Sequence, residues 1–401
     1  MRDHVTIAHH IFLLIMIMSA CRPGTAIGQI FELPRADPLP GDFFGTAVAI
    51  DGRRVLVGAT GDDACGPNSG AAYVYELLEG TEKWVFAAEL LPSECEEGRF
   101  FGRSVALSEN FAAVAASQEF FSEETPNAVY VFERDSLHGW HQIARLVGGH
   151  ASDEGAFGTS VSMDGERILV TTSGDPAGGA FNGALHIFAL NDEGQWERTS
   201  RFSADDTRAG ILGTAGAIAG DYAVVSASTY FRYKPGTVYF FERDRVTDTW
   251  SVAASFGDID DFFISVDADS NRAIVGESKA GRNASGQATI FERDAEGHWK
   301  KAHRLQLDKP YDFGAFGTDV AIDGEYALVA AYDEQLGLNF NIDRVVYVFR
   351  RTPDGRWIQH QVIDVGEVAF GASLDIHNGY AVVGSAADAE PGAAYVVRLV
   401  E

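Results

Sequence analysis

The side chains with chemistry to offer are carboxylates. Asp62, Asp63, Glu94, Glu96, Glu97, Asp153, Glu154, Asp205, Asp206, Asp258, Asp260 and Asp261 fall in polar stretches between apolar runs. Gathered on one surface, such residues attract cations, basic peptide segments or sugar hydroxyls, and a pair held ~5–10 Å apart can cleave a glycoside. Left scattered, they form a solvated rim. Other constellations are sparse. His138 and His141 flank Trp140 with no carboxylate at fixed spacing, which reads as surface histidine. Asp267, Asp269 and Asn271 in "DADSN" imitate the opening of a calcium loop but lack its glycine and its downstream glutamate. No G-x-S-x-G elbow, H-E-x-x-H pair or phosphate-cradling loop occurs. The sequence therefore predicts no catalytic residue, no metal site and no cofactor.

What positions the carboxylates is a repeat. "GDFFGTAVAIDGRRVLVGA" at Gly41 returns as "GAFGTSVSMDGERILVTT" at Gly155 and "GAFGTDVAIDGEYALVAA" at Gly314. Aligned on the residue before the glycine, the copies start at Phe44, Phe101, Phe157, Leu212, Phe262, Phe316 and Phe370, 50 to 57 residues apart. Each copy holds four strand-like runs. In the first, "FGTAVAI" and "RVLVGA" flank Asp51-Gly52, which reads as a type I′ hairpin turn with positive φ at both central positions. Asp164-Gly165 and Asp323-Gly324 read alike. "AAYVYEL" is the third run, and Trp84 opens the fourth, as Trp140, Trp196, Trp250, Trp299 and Trp357 do later.

The first run is rich in small residues, and the second and third are almost wholly apolar, as in sheets covered on both faces. Four antiparallel strands in seven copies predict an all-β fold, a seven-bladed β-propeller spanning residues 29–401, with the aromatic residues packed between blades. The chain stops after the third strand of copy seven. "QIFEL" (Gln29 to Leu33) stands where every other copy is preceded by a fourth strand. It is expected to complete the last blade and leave no exposed edge. Loops from strand two to three, and from strand four to the next blade, then emerge on one face. That face holds the carboxylates named above.

The Phe-Gly start, the small "VGA" end of strand two and the sevenfold count resemble the FG-GAP repeats of the integrin α-subunit propeller. The "VYVFERD…W" run is closer still to bacterial FG-GAP repeat proteins. This resemblance covers residues 29–401 and implies a binding propeller. Integrin propellers carry Ca²⁺ in an aspartate-rich loop between strands one and two of some repeats. Here that loop has shrunk to a two-residue turn, and a lone aspartate cannot supply the 6–8 oxygens the ion wants. The calcium sites do not carry over.

A formal net charge of −27 argues against nucleic acid and anionic membrane surfaces. Residues 1–28 read as an export signal, because "IFLLIMIM" (Ile11 to Met18) is apolar but too short to span a bilayer. Cleavage after Ala26-Ile27-Gly28 would leave Gln29 first, whereas Met18-Ser19-Ala20-Cys21 resembles a lipobox that would put a lipid on Cys21. Cys65 and Cys95 remain, an even pair expected to form a disulfide in an exported chain. The expectation is a monomer without a transmembrane span in the mature chain, secreted or held at the cell envelope. It would recognise a protein or glycan through its acidic loop face without enzymatic machinery. A carboxylate-using glycan-active enzyme and a structural envelope protein are the alternatives.

Overall fold

Runs of β-branched and aromatic residues, punctuated by glycine turns, form seven four-stranded antiparallel sheets. The computed structural model describes residues 28–400 except 36–37, 118–126, 138, 150–155, 174–182, 204–210, 229–234, 260–263, 308–311, 333–343, 368 and 388–389. The inner strands of blades 1 to 7 are Phe44–Asp51, Phe101–Ser108, Phe157–Asp164, Ile211–Ala219, Ile264–Ala268, Val320–Asp323 and Phe370–His377. In blades 1 to 6 the sheet order follows the chain outward. Blade 7 takes its outer strand, Ile30–Glu32, from the start of the propeller. There Ile30 pairs with Val397 and Glu32 with Tyr395, and the Leu33 amide donates to the Ala394 carbonyl at 2.8 Å. The seven-bladed propeller and its stitched closure are as the repeat count requires.

The blades are glued by the side chains the repeat fixes. Phe44, Phe101, Phe157, Leu212, Phe316 and Phe370 are fully buried, whereas Phe262 lies outside the described residues. The outer-strand tryptophans lean on the preceding blade: Trp84 on Tyr380, Trp196 on Phe111 and Trp299 on Phe240, at ring separations of 5.9, 5.6 and 4.5 Å. Glycine after the phenylalanine has a double cause. Gly45 adopts a φ of +92°, and a Cβ there would come within 2.2 Å of the Ala393 carbonyl oxygen of the preceding blade. Only a residue without a side chain allows that approach.

One local expectation differs. Asp51 pairs with Arg54, so Gly52-Arg53 forms the centre of the turn, with positive φ only at Gly52. That is the type II′ pattern, and Asp51 is thereby the last residue of its strand. Blades 3 and 6 repeat the arrangement, Asp164 pairing with Arg167 and Asp323 with Tyr326. Positive φ at both central positions occurs in blade 7, at Asn378 and Gly379.

Candidate functional site

On the loop-bearing face, two loops of blade 1 are tied together. Cys65 and Cys95 form a disulfide with their Cα atoms 5.6 Å apart. The Gly98 amide donates to Pro67 and the Phe100 amide to Asn68, so backbone contacts reinforce the link. Asp63, Glu94, Glu96 and Glu97 are exposed on these loops. Glu94 reaches Arg145 at 3.2 Å, and Asp63 caps the Asn68 amide at 2.9 Å.

Asp62 is different. It is 7% exposed and accepts hydrogen bonds from the Tyr73 hydroxyl, at 2.5 Å, and from Arg35, at 2.6 Å. Arg35 also pairs with Asp42 at 2.7 Å and lies over the rings of Phe44 and Tyr73. Asp62 therefore anchors the segment that closes the ring. Asp258 is exposed on the outer strand of blade 4, away from this pair of loops in sequence. Asp153, Glu154, Asp205, Asp206, Asp260, Asp261 and Cys21 lie outside the described residues.

The inner strands surround a channel of about 1050 Å³. Its wall carries Asp267, Asp319 and Asp375 in blades 5, 6 and 7, and Ser104, Ser160 and Ser162 in blades 2 and 3. These side chains staple consecutive blades. The Ile322, Leu374 and Ile50 amides donate to Asp267, Asp319 and Asp375 at 2.7, 2.8 and 2.7 Å. The Val161 and Ile218 amides donate to Ser104 and Ser162 at 2.9 and 3.1 Å. Asp319 and Asp375 give their second oxygens to the Val320 and Ile376 amides. At the hairpin end, Asp51, Ser108, Asp164, Asp269 and Asp323 accept amides of Glu109, Gly165, Gly220, Gly324 and Asn378 of the following blade.

Burial pushes the carboxyls of Asp267 and Asp319 up to about 7, against the lowering effect of the amides they accept. Asp375 is raised well above the usual carboxylate range for the same reason, and next by the charge of Asp267. Asp269 is the turn residue of "DADSN", its Oδ1 taken by the Asn271 and Arg272 amides and its Oδ2 by Gly324. These oxygens face backbone N–H groups. Among the described residues, no group of three or more His, Cys, Asp or Glu has the disposition of a metal site.

The "FERD" run also acts at the seams. Its glutamate, or the one in the matching "YELL" of blade 1, takes the arginine of the next blade: Glu76 with Arg134 at 3.0 Å, Glu242 with Arg293 at 3.1 Å, Glu292 with Arg351 at 3.8 Å. Its aspartate caps the following turn, as Asp244 does for the Val246 and Thr247 amides. His141 stands half-exposed beside Glu133 and Asp135, at 3.9 and 3.5 Å, and His138 is outside the described residues.

The geometry defines a closed propeller whose inward carboxylates are seam acceptors and which carries four exposed carboxylates, Asp63, Glu94, Glu96 and Glu97, on a disulfide-tied loop pair. Three segments, residues 29–75, 84–132 and 140–188, match the family model described as the FG-GAP repeat. The chain carries FG-GAP repeats. Each matched segment runs from an outer strand to the third strand of the next blade, so the sequence repeat is offset from the blade by one strand. That offset is why the first strand belongs to the last blade. No curated protein matches the chain.

The sequence reading weighed Asp267 only as part of an incomplete calcium loop, which it set aside, and it missed the seam role of Asp267, Asp319 and Asp375. A signal was present. In copies five to seven, aspartate interrupts inner-strand positions that elsewhere hold Ala or Ser.

Proposed function

We propose that this propeller is a recognition module that binds a protein or glycan through its loop-bearing face and performs no catalysis. The observation that carries this reading is the disulfide-tied loop pair of blade 1, which presents Asp63, Glu96 and Glu97 to solvent on a fixed backbone. A preorganised charged surface loses little entropy on binding and selects partners by charge. The FG-GAP fold supports an interaction role, and the inward carboxylates are occupied by backbone amides rather than converging on a cleft. The disulfide supports an oxidising, extracytoplasmic location. No helix among the described residues is long and apolar enough to cross a membrane. Mass spectrometry of the mature N-terminus separates processing at Gln29 from lipidation at Cys21.

The test is to screen the mature protein against surface extracts and glycans, then compare it with the Asp63→Asn/Glu96→Gln/Glu97→Gln variant. Expected is a loss of ~10-fold or more in affinity and a flatter salt dependence. Unchanged binding by the variant, or turnover of a glycan by the parent, would overturn the proposal.

A further inference from the structure

At the loop-bearing ends of blades 1 and 5 the chain forms the same backbone clamp. In blade 1 the Gly98, Phe100 and Phe101 amides donate to the Pro67, Asn68 and Ser69 carbonyls. In blade 5 the Phe313, Ala315 and Phe316 amides donate to the Asn283, Ala284 and Ser285 carbonyls. Gly70 bridges to Phe101 as Gly286 does to Phe316. Register for register, the places of Pro67 and Gly98 in the first clamp are taken by Asn283 and Phe313 in the second.

Folding does not ask for that exchange. Gly98 has a φ of +68°, which glycine adopts freely. Phe313 has a φ of +63°, where a bulky residue is strained, yet its ring is 71% exposed and gains little from packing. Asn283 is exposed in the 3-10 turn Arg282–Ala284, with a φ of +51°. Its Nδ2 donates at 2.8 Å to Oδ2 of Asp312, the residue before Phe313. Asn283-Ala284-Ser285 is also the one Asn-x-Ser/Thr triplet in the chain, the acceptor pattern for N-linked saccharides on surface loops of exported proteins. One clamp thus holds an exposed acceptor amide, its hydroxyl residue and an aromatic ring with no packing to explain it.

We propose that Asn283 is the attachment point of an N-linked saccharide whose first sugar rests on the Phe313 ring. The donor is a saccharide carried on a lipid diphosphate and met after export, so the proposal rests on the extracytoplasmic reading of the chain. Asn283 Nδ2 bonds to the anomeric carbon as the bond from that carbon to the diphosphate oxygen breaks. The lipid diphosphate leaves with the electron pair, and one Nδ2 proton passes to solvent. A carboxamide nitrogen carries two hydrogens, so the linked nitrogen keeps one for Asp312. The C–H face of a sugar is drawn to the negative face of an aromatic ring, which gives a reason for phenylalanine at a position that suits glycine.

The experiment is mass spectrometry of the protein purified from the cells that make it. Trypsin, cutting after Arg282 and Arg293, isolates Asn283 in the peptide "NASGQATIFER". Expected is that peptide carrying the mass of a saccharide, released by a peptide N-glycosidase with conversion of the linked asparagine to aspartate. Asn283→Gln and Ser285→Ala should each lower occupancy ~10-fold or more. Enzymatic removal of the saccharide should lower the melting temperature by ~1–3 °C, and Phe313→Ala should erase that difference. A bare Asn283 in a chain whose signal segment has been removed would overturn the proposal and leave export standing. A bare Asn283 with the signal segment intact would overturn both. Modification that survives Ser285→Ala would be chemical glycation and would overturn it too, and a melting difference that survives Phe313→Ala would overturn the seat assigned to the ring.

Discussion

The seams joining blades 2, 3 and 4 and those joining blades 5, 6, 7 and 1 bind backbone amides at neighbouring registers through different acceptors. Along the channel wall of the first sector, short of the hairpin end where Asp164 takes the Gly220 amide, the acceptors are serine hydroxyls, Ser104 and Ser162. In the second they are carboxyls, Asp267, Asp319 and Asp375. Serine is a neutral acceptor that suits a buried seam at any pH. A carboxyl in the same place is a stronger acceptor when ionised but suffers from burial. The carboxyl sector includes the one seam that the chain closes with its two ends. A closure made from separate chain segments gains most from short hydrogen bonds, and the carboxyl sector supplies them at 2.7–2.8 Å.

The largest effect should come from breaking that closure. A chain lacking Gln29 through Arg35 loses the outer strand of blade 7, the buried Leu33 and the Arg35 contacts to Asp42 and Asp62. It leaves the third strand of blade 7 with an open edge. We expect a loss of ~5 kcal/mol or more, read as a lowered urea midpoint. A midpoint equal to that of the intact protein would mean that the two sectors are equally self-sufficient.

A middle-sized effect distinguishes the acceptors themselves. At pH 5, Asp319→Ala removes the partner of the buried Leu374 amide and of Val320, at ~1–3 kcal/mol. Ser162→Ala removes the partner of the Ile218 amide alone, at ~0.5–1.5 kcal/mol. Denaturant melts of the two variants should rank in that order. The reverse ranking would show that the carboxyl staples contribute no more than the hydroxyls.

The ring and its closure were legible because they follow from counting. Seven starts against six tryptophans leave one strand to be found, and "QIFEL" was the one run without a blade. The disulfide was legible from an even pair of cysteines. The seam chemistry was not. Asp before Gly satisfies a turn rule, so nothing local reveals that Asp51 ends its strand and reaches an amide 58 residues away. Asp62 reads as one more rim carboxylate until Arg35, 27 residues earlier, folds back onto it. Both depend on which blade lies beside which, and a repeat pattern specifies that only once the ring is closed.

The smallest effect, and the one that most sharpens the contrast between sectors, is the pH dependence of stability. Asp267 and Asp319 have native values of about 7 against an unperturbed 3.8, and Asp375 is displaced in the same direction. Groups raised on folding hold extra protons in the native state, so their contribution is fully present below ~4 and is lost as pH rises through about 7. Charges facing them act unequally: Asp269 and Asp323 reinforce the rise at Asp267, Asp267 and Asp323 do so at Asp375, and at Asp319 Asp267 reinforces it while Arg344 opposes it. The melting temperature should therefore fall by roughly 2–5 °C between pH 5 and pH 8. Asp267→Asn/Asp319→Asn/Asp375→Asn keeps a neutral oxygen for each amide and removes the titration. That variant should melt above the parent at pH 8 and show a flatter profile, whereas Ser104→Ala/Ser162→Ala should lower the whole curve without changing its slope. An unaltered slope in the asparagine variant would mean that the channel carboxyls stay ionised across this range, shielded well enough by the amides of Ile322, Leu374 and Ile50 to behave as permanent charges.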